Sequence, residues 1–263
     1  MVLLAALSCA AAIEETGGRH SHLSNTTVQL HEHTLTIHLS SGYGAKGPLL
    51  VYLTGDGGWF GKDKELFNEL IPAGYPLAGI SARDYVSHIG SGVTQELPTH
   101  LEDDIAGVVA AADVALGLPA DGPVVIVGKS RGAGLAVAAA FANSRLRGRL
   151  KGVLCVALTR EEEYVYLPVP GKPDNSPLGM FQTYDALPLI SGIPIAVIQS
   201  TNDNYIPAAQ AKEFFGAEGP ARRFRSIEAD DHSFGGALDE LYREVRASLQ
   251  WIVEAAAAGH QRP

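Results

Sequence analysis

The sequence predicts an α/β fold, a mostly parallel central sheet covered by helices on both faces. Three observations carry this. Short, near-continuous apolar runs, "PLLVYL", "VVIV", "VLCVAL" and "IPIAVI", have the length of strands buried on both sides. Segments of helical periodicity separate them, and glycines, prolines and polar clusters mark where each run stops. With 263 residues, 46% of them hydrophobic and 19% charged, the chain is long enough for one large domain or two small ones. That composition fits neither wholesale disorder nor a multi-span membrane protein.

The elements follow in order. Residues 1–18, "MVLLAALSCAAAIEETGG", form a short apolar stretch ending in small residues, as in the core of a signal peptide rather than a spanning helix. No Lys or Arg precedes it. The segment reads as the leader of an exported bacterial protein, with Cys9 in "ALSC" as an alternative lipoprotein cleavage site, and the folded domain is expected over 25–258. "TVQLHEHTLTIHL" alternates in the manner of one or two strands with a solvated face. His31 and His33 on such a strand lack a further ligand at metal-binding spacing.

"GPLLVYLTG" reads as a buried strand, "KDKELFNELIPAG" as an amphipathic helix closed by Gly74, and "YPLAGISA" as the next strand. "LPTHLEDDIAGVVAAADVALGL" is a long helix with Pro98 near its first turn and acids early on its polar face. "GPVVIVG", "LKGVLCVAL" and "IPIAVIQS" are strands, and "RGAGLAVAAAFAN" and "AAQAKEFFGA" are helices. "RRFRSIEA" is a last, more exposed strand before the terminal helix "GALDELYREVRASLQWIVEAAAA". Residues 159–192 break the alternation: several prolines, consecutive acids and scattered aromatics suit a lid-like insertion.

Parallel α/β sheets gather ligands at the carboxyl ends of their strands, so the loops there carry the chemistry. Gly128-Lys129-Ser130-Arg131-Gly132 is a G-x-S-x-G pattern between strand and helix, which reads either as a tight structural turn or as a turn that presents Ser130 as a nucleophile. A serine needs a base, and the base an acid to orient it. His232 follows the last strand and Asp203 the one before, and the order Ser130, Asp203, His232 is that of α/β-hydrolases. Taken singly, Asp203 also suits a turn or helix cap and His232 a surface loop. An acyl-transfer site further needs two backbone N–H donors for an oxyanion. Arg131 follows the nucleophile, and the loop "YLTGDGGWFGKD" offers Asp56, with Gly57 as fallback. Lys129, Trp59, Tyr85 and Tyr205 are candidate substrate contacts.

"LTGDGGW", "GYPLAGISARDY" and "VVIVGKSRGAG" together resemble the bacterial virulence protein family of VirJ and the C-terminal half of AcvB, over roughly Pro48 to Ala140. The elbow differs from the family form at Lys129 and Arg131, and "VSH" follows Tyr85 where the family has aromatic residues. The resemblance implies a periplasmic hydrolase that cleaves aminoacyl phosphatidylglycerol, with an association with type IV secretion. Such a substrate joins an ester, a phosphate and a cationic amine. Lys129 and Arg131 suit an anionic group, and Asp56 or Glu161 to Glu163 a cationic one, unless the two basic residues face solvent or pair with acids.

The resulting expectation is a serine esterase acting on a small-molecule or lipid-headgroup ester, in the periplasm, with peripheral membrane contact and no metal or organic cofactor. The alternatives are a small-molecule carboxylesterase of the dienelactone-hydrolase type and a non-catalytic secretion-accessory protein. A net charge of -9 argues against nucleic acid as a partner. The two cysteines, Cys9 in the leader and Cys155 in an apolar run, do not form a disulfide framework.

Overall fold

The apolar runs build one twisted sheet whose strand order brings distant loops to the same edge. The computed structural model describes residues 22–259 apart from 31–32, 43–46, 88–100, 143–144, 147 and 163–179. The leader at 1–18 with Cys9, the residues His31, Pro98 and Glu163, and half of the 159–192 insertion lie outside the described residues.

The chain enters through an antiparallel hairpin, β1 (Leu23–Leu30) and β2 (His33–Ser40), paired from Leu23 with Ser40 to Leu30 with His33. The alternation read in the sequence is visible in β2, where Leu35, Ile37 and Leu39 are buried and Thr34 and Thr36 exposed. β3 (Leu49–Leu53) leads through a glycine-rich loop to α1 (Gly61–Leu70), a single 3-10 turn and Gly74, whose φ of 82° closes the helix in the left-handed region. β4 (Leu77–Ile80), α2 (Ala82–Ser87) and α3 (Leu101–Leu116) come next. β5 (Val124–Lys129) then runs directly into α4 (Arg131–Ala142).

The second half contains β6 (Leu150–Val156), a small ribbon of β7 (Glu161–Glu162) and β8 (Phe181–Gln182), and α5 (Thr183–Ala186). It ends with β9 (Ile195–Ser200), α6 (Ala208–Phe215), β10 (Arg222–Ile227) and α7 (Leu238–Gly259). The described part of the insertion therefore holds this ribbon, α5 and a 3-10 turn at Leu187–Leu189. The sheet order is β1-β2-β4-β3-β5-β6-β9-β10, parallel from β4 to β10 and antiparallel at β1 and β2.

The two-residue period of each strand divides its side chains between two cores. Leu49, Val51, Val124, Ile126, Ile195 and Val197 face the layer of α3, α4 and α6. Leu50, Tyr52, Val125, Val127, Ala196 and Ile198 face α1 and α7. Strands buried on both faces need no polar side, which is why they read as continuous apolar runs. Cys155 is one such residue: burial pushes its thiol pKa well above the usual range, and it packs as a small hydrophobe. No described helix is long and apolar enough to cross a membrane.

Candidate active site

The turn between β5 and α4 is shaped by contact, not by hydrogen-bonding side chains. Ser130 has a φ of 51°, a conformation costly for a residue with a Cβ. The glycines on either side explain how it is kept. A Cβ on Gly128 would lie 2.2 Å from the Gly132 carbonyl oxygen, and one on Gly132 2.2 Å from the Leu53 carbonyl oxygen. α4 thus starts hard against β5 and β3, the chain has no slack to relax the turn, and Ser130 projects from the edge. The Ser130 N–H donates to the Val156 carbonyl at 2.8 Å, and the Ser130 carbonyl accepts from Ala133.

His232 lies in the loop after β10. Asp231 folds that loop on itself, its carboxylate accepting the Ser233 and Gly235 N–H groups at 2.8 and 2.9 Å. These bonds hold the Asp231 carboxyl below its usual pKa. Phe234, fully buried with a φ of 58°, pins the loop to the core. The imidazole stands between two loops: its Nε2 is 2.8 Å from Ser130 Oγ and its Nδ1 2.7 Å from Asp203 Oδ2. A carboxylate only accepts, so Nδ1 carries the proton and Nε2 offers its lone pair to the serine hydroxyl.

Asp203, in the loop after β9, is buried and uses every lone-pair direction. Oδ1 accepts the N–H groups of Tyr205 at 2.8 Å and Ile206 at 3.2 Å; Oδ2 accepts from His232 and from Gln199 Nε2 at 2.8 Å. The first two bonds make a turn, so capping and holding His232 are the work of one side chain. The neighbouring loops are stitched by Asn202 Nδ2 donating to the Ala229 carbonyl at 2.7 Å and by Thr201 N–H donating to Ile227 at 2.9 Å. Tyr205, 68% exposed, sets its ring edge against His232 at 4.7 Å between centroids.

The glycine-rich loop after β3 is anchored by Asp63, in the first turn of α1. Its Oδ1 accepts the Gly55 N–H at 2.9 Å, its carbonyl accepts the Tyr52 hydroxyl at 3.0 Å, and Lys129 Nζ lies 3.4 Å from Oδ1. Burial and this acid raise the Tyr52 phenol well above its normal pKa, so the hydroxyl remains a donor. Gly58 N–H donates to the Gly55 carbonyl, leaving Asp56 and Gly57 at the tip of the turn. A Cβ on Gly57 would come within 2.7 Å of Asp63 Oδ2.

The two basic residues beside Ser130 pair with acids. The Arg131 guanidinium forks onto the Asp56 carboxylate through Nε and Nη2, and Nη1 reaches Glu162 Oε1 at 2.8 Å. Lys129 is buried against Asp63. This corrects the expectation that Lys129 contacts substrate, while the Arg131 charge is shared between Asp56 and Glu162. Trp59 is corrected too: it stacks on His38 at 3.7 Å, meets the edge of Phe67, and fills the space over Gly79. Tyr85, 2% exposed, donates its hydroxyl to Asp104 at 2.9 Å inside the core.

A cleft of about 430 Å³ opens beside Ser130, lined by Asp56, Arg131, Thr159, Arg160, Glu161, Glu162, Met180 and Tyr205. Of the expected contacts, Tyr205, Asp56, Arg131, Glu161 and Glu162 face it. Arg160 and Met180, both in the insertion, were missed because nothing local marks which residues of an irregular segment turn inward. Asp63 was missed because an acid in the first turn of a helix reads as a dipole partner.

Residues 48–171, a little under half the chain, match the model of the bacterial virulence protein family VirJ. Among solved structures, the chain is similar to an esterase from Pyrococcus furiosus (11% identity, 93% of this chain and 100% of that one, TM-score 0.62). It is also similar to a cold-adapted esterase from an Arctic intertidal metagenomic library (14%, 93% and 99%, 0.59). A third such structure is the dienelactone hydrolase from Anabaena variabilis (18%, 89% and 99%, 0.56). At these identities the likeness is one of fold, and the fold is that of α/β-hydrolases. No protein of curated function matches the sequence.

Proposed function

From an α/β-hydrolase fold with a VirJ-type segment at 48–171, we propose that the protein is a serine esterase. The observation that carries this reading is the pair of contacts made by His232, 2.8 Å to Ser130 Oγ and 2.7 Å to Asp203 Oδ2. Ser130 Oγ attacks the ester carbonyl carbon while its proton passes to His232 Nε2; Asp203 holds the imidazole and stabilises the imidazolium. The proton then goes to the departing alcohol oxygen as its bond to carbon breaks. Water repeats the sequence on the acyl-enzyme, releasing the acid and restoring Ser130. The oxyanion is received by the N–H of Arg131, at the first position of α4 where helix N–H groups have no intrahelical partner, and by that of Asp56, or Gly57, at the tip of the glycine-rich turn.

Within this class we favour aminoacyl phosphatidylglycerol or a related ester. With Asp56 and Glu162 engaged by Arg131 and Lys129 paired with Asp63, the remaining exposed charges among the described cleft residues are Glu161, which suits a cationic amine, and Arg160, which suits a phosphate. The size of the cleft favours a second reading, a small-molecule carboxylesterase of the dienelactone-hydrolase type. We further propose an exported, periplasmic location, read from the apolar segment at 1–18, and a single folded domain, whose described strands and helices run from Leu23 to Gly259.

An aryl ester and lysyl phosphatidylglycerol separate these readings. Ser130→Ala should lower aryl-ester turnover by about 10⁶-fold with the fold intact; full activity in that variant removes Ser130 from the mechanism. Release of free lysine by the wild type supports the lipid substrate, and its absence at high enzyme concentration leaves the small-ester reading. A folded wild-type protein that hydrolyses neither and is never labelled by a fluorophosphonate favours the reading of a non-catalytic binding protein.

A further inference from the structure

Gln199 is fully buried on β9, in the row of Ile195 and Val197 on a face that is otherwise apolar. Its Nε2 donates to Asp203 Oδ2 at 2.8 Å and to the Ile206 carbonyl at 2.9 Å. Both partners only accept, so the nitrogen end of the amide must face them. That orientation leaves Oε1 buried with no hydrogen-bond partner among the described residues. An apolar side chain in the slot would avoid that cost. A buried polar group with one end unsatisfied calls for a reason, and here the satisfied end provides it.

The reason lies in how His232 is held. A carboxylate rotates easily about its last torsion, and the two backbone N–H groups pin Oδ1, not the oxygen that meets the imidazole. Gln199 pins Oδ2. The same amide ties it to the Ile206 carbonyl just before α6, fixing the carboxylate plane against the strand and the turn together. The imidazole itself sits in a partly exposed loop, and the ring bonds that aim it run to Asp203 and Ser130.

We propose that Gln199 is a positioning residue that fixes the orientation of Asp203, and through it the aim of His232 Nε2 at Ser130. This rests on the serine-hydrolase reading. Two variants test it. Gln199→Leu removes both donors at similar size; Gln199→Glu keeps the shape but turns an acceptor toward the carboxylate. Aryl-ester kinetics are measured per site titrated with a fluorophosphonate, on protein shown to be folded by thermal melting. Both variants should lose roughly ten- to hundredfold in kcat with KM little changed, since small misplacement of a catalytic group costs rate more than binding. The low-field proton resonance of the His232–Asp203 hydrogen bond should be seen in the wild type and broadened in both variants. Wild-type kcat with an unchanged resonance in Gln199→Leu overturns this inference alone; if that variant does not fold, Gln199→Glu decides by the same criterion. A wild type that neither turns over nor labels overturns the serine-hydrolase reading as well.

Discussion

The two halves of the candidate site are held by different physics. At the elbow, Ser130 is placed by steric exclusion: Gly128, Gly132 and the Leu53 carbonyl leave one path for the chain, and the strained φ is enforced by backbone in contact with backbone. At the loops after β9 and β10, Asp203 and His232 are placed by directed hydrogen bonds, four of them converging on one carboxylate. Contact is insensitive to protonation but intolerant of added atoms. Hydrogen bonds tolerate shape-preserving substitutions in the fold while losing the chemistry.

That contrast separates stability from rate. After loss of the nucleophile itself, the largest expected rate effect is at the hydrogen-bonded half: Asp203→Asn should lower kcat by about 10⁴-fold, because the amide favours the wrong imidazole tautomer. A rate within tenfold of wild type would show that Asp203 does not orient His232. The next is at the steric half, where Gly132→Ala should cost about 3 kcal/mol or more in urea unfolding, its methyl meeting two backbone oxygens at 2.2 and 2.4 Å. A wild-type unfolding midpoint would mean that the elbow is not tight.

Smaller effects probe the glycine-rich loop, which uses both devices. His38, stacked under Trp59, has its pKa lowered from 6.5 to about 4, first by burial and then by Lys64, with Asp84 opposing. The unfolded chain therefore takes up the proton first as pH falls. The stability present above pH 6.5 is lost progressively toward pH 4, and His38→Gln should flatten that part of the stability–pH curve. An unaltered slope would assign the acid sensitivity elsewhere. Asp56→Asn, which removes one exposed partner of the Arg131 fork, should change stability by less than about 1 kcal/mol, an effect that fades with added salt. A larger loss at high salt would make the fork a structural anchor.

The same contrast explains what was legible in the sequence. Placing Ser130, Asp203 and His232 at strand ends needed only local patterns: an apolar run, a stop, a helix start. The parallel sheet was legible for that reason, and so was the elbow, whose glycines are required by contacts within five residues and with the adjacent strand. Pairings across the sheet edge were not. Lys129 and Arg131 looked available because their partners Asp63, Asp56 and Glu162 lie 31 to 75 residues away in sequence. Trp59 looked like a substrate contact because its slot is made by β2 and β4, through His38 and Gly79. Gln199 reads as the polar end of a strand; its bond to Asp203 becomes visible only when the turn closes over it.

The central claim is that Ser130 is a nucleophile activated by His232. Mass spectrometry of the folded protein after exposure to a fluorophosphonate tests it most directly. The account predicts one phosphonyl adduct, on the peptide containing Ser130, and its loss in both Ser130→Ala and His232→Ala. A folded wild-type protein that stays unlabelled, or that labels equally without His232, would contradict it.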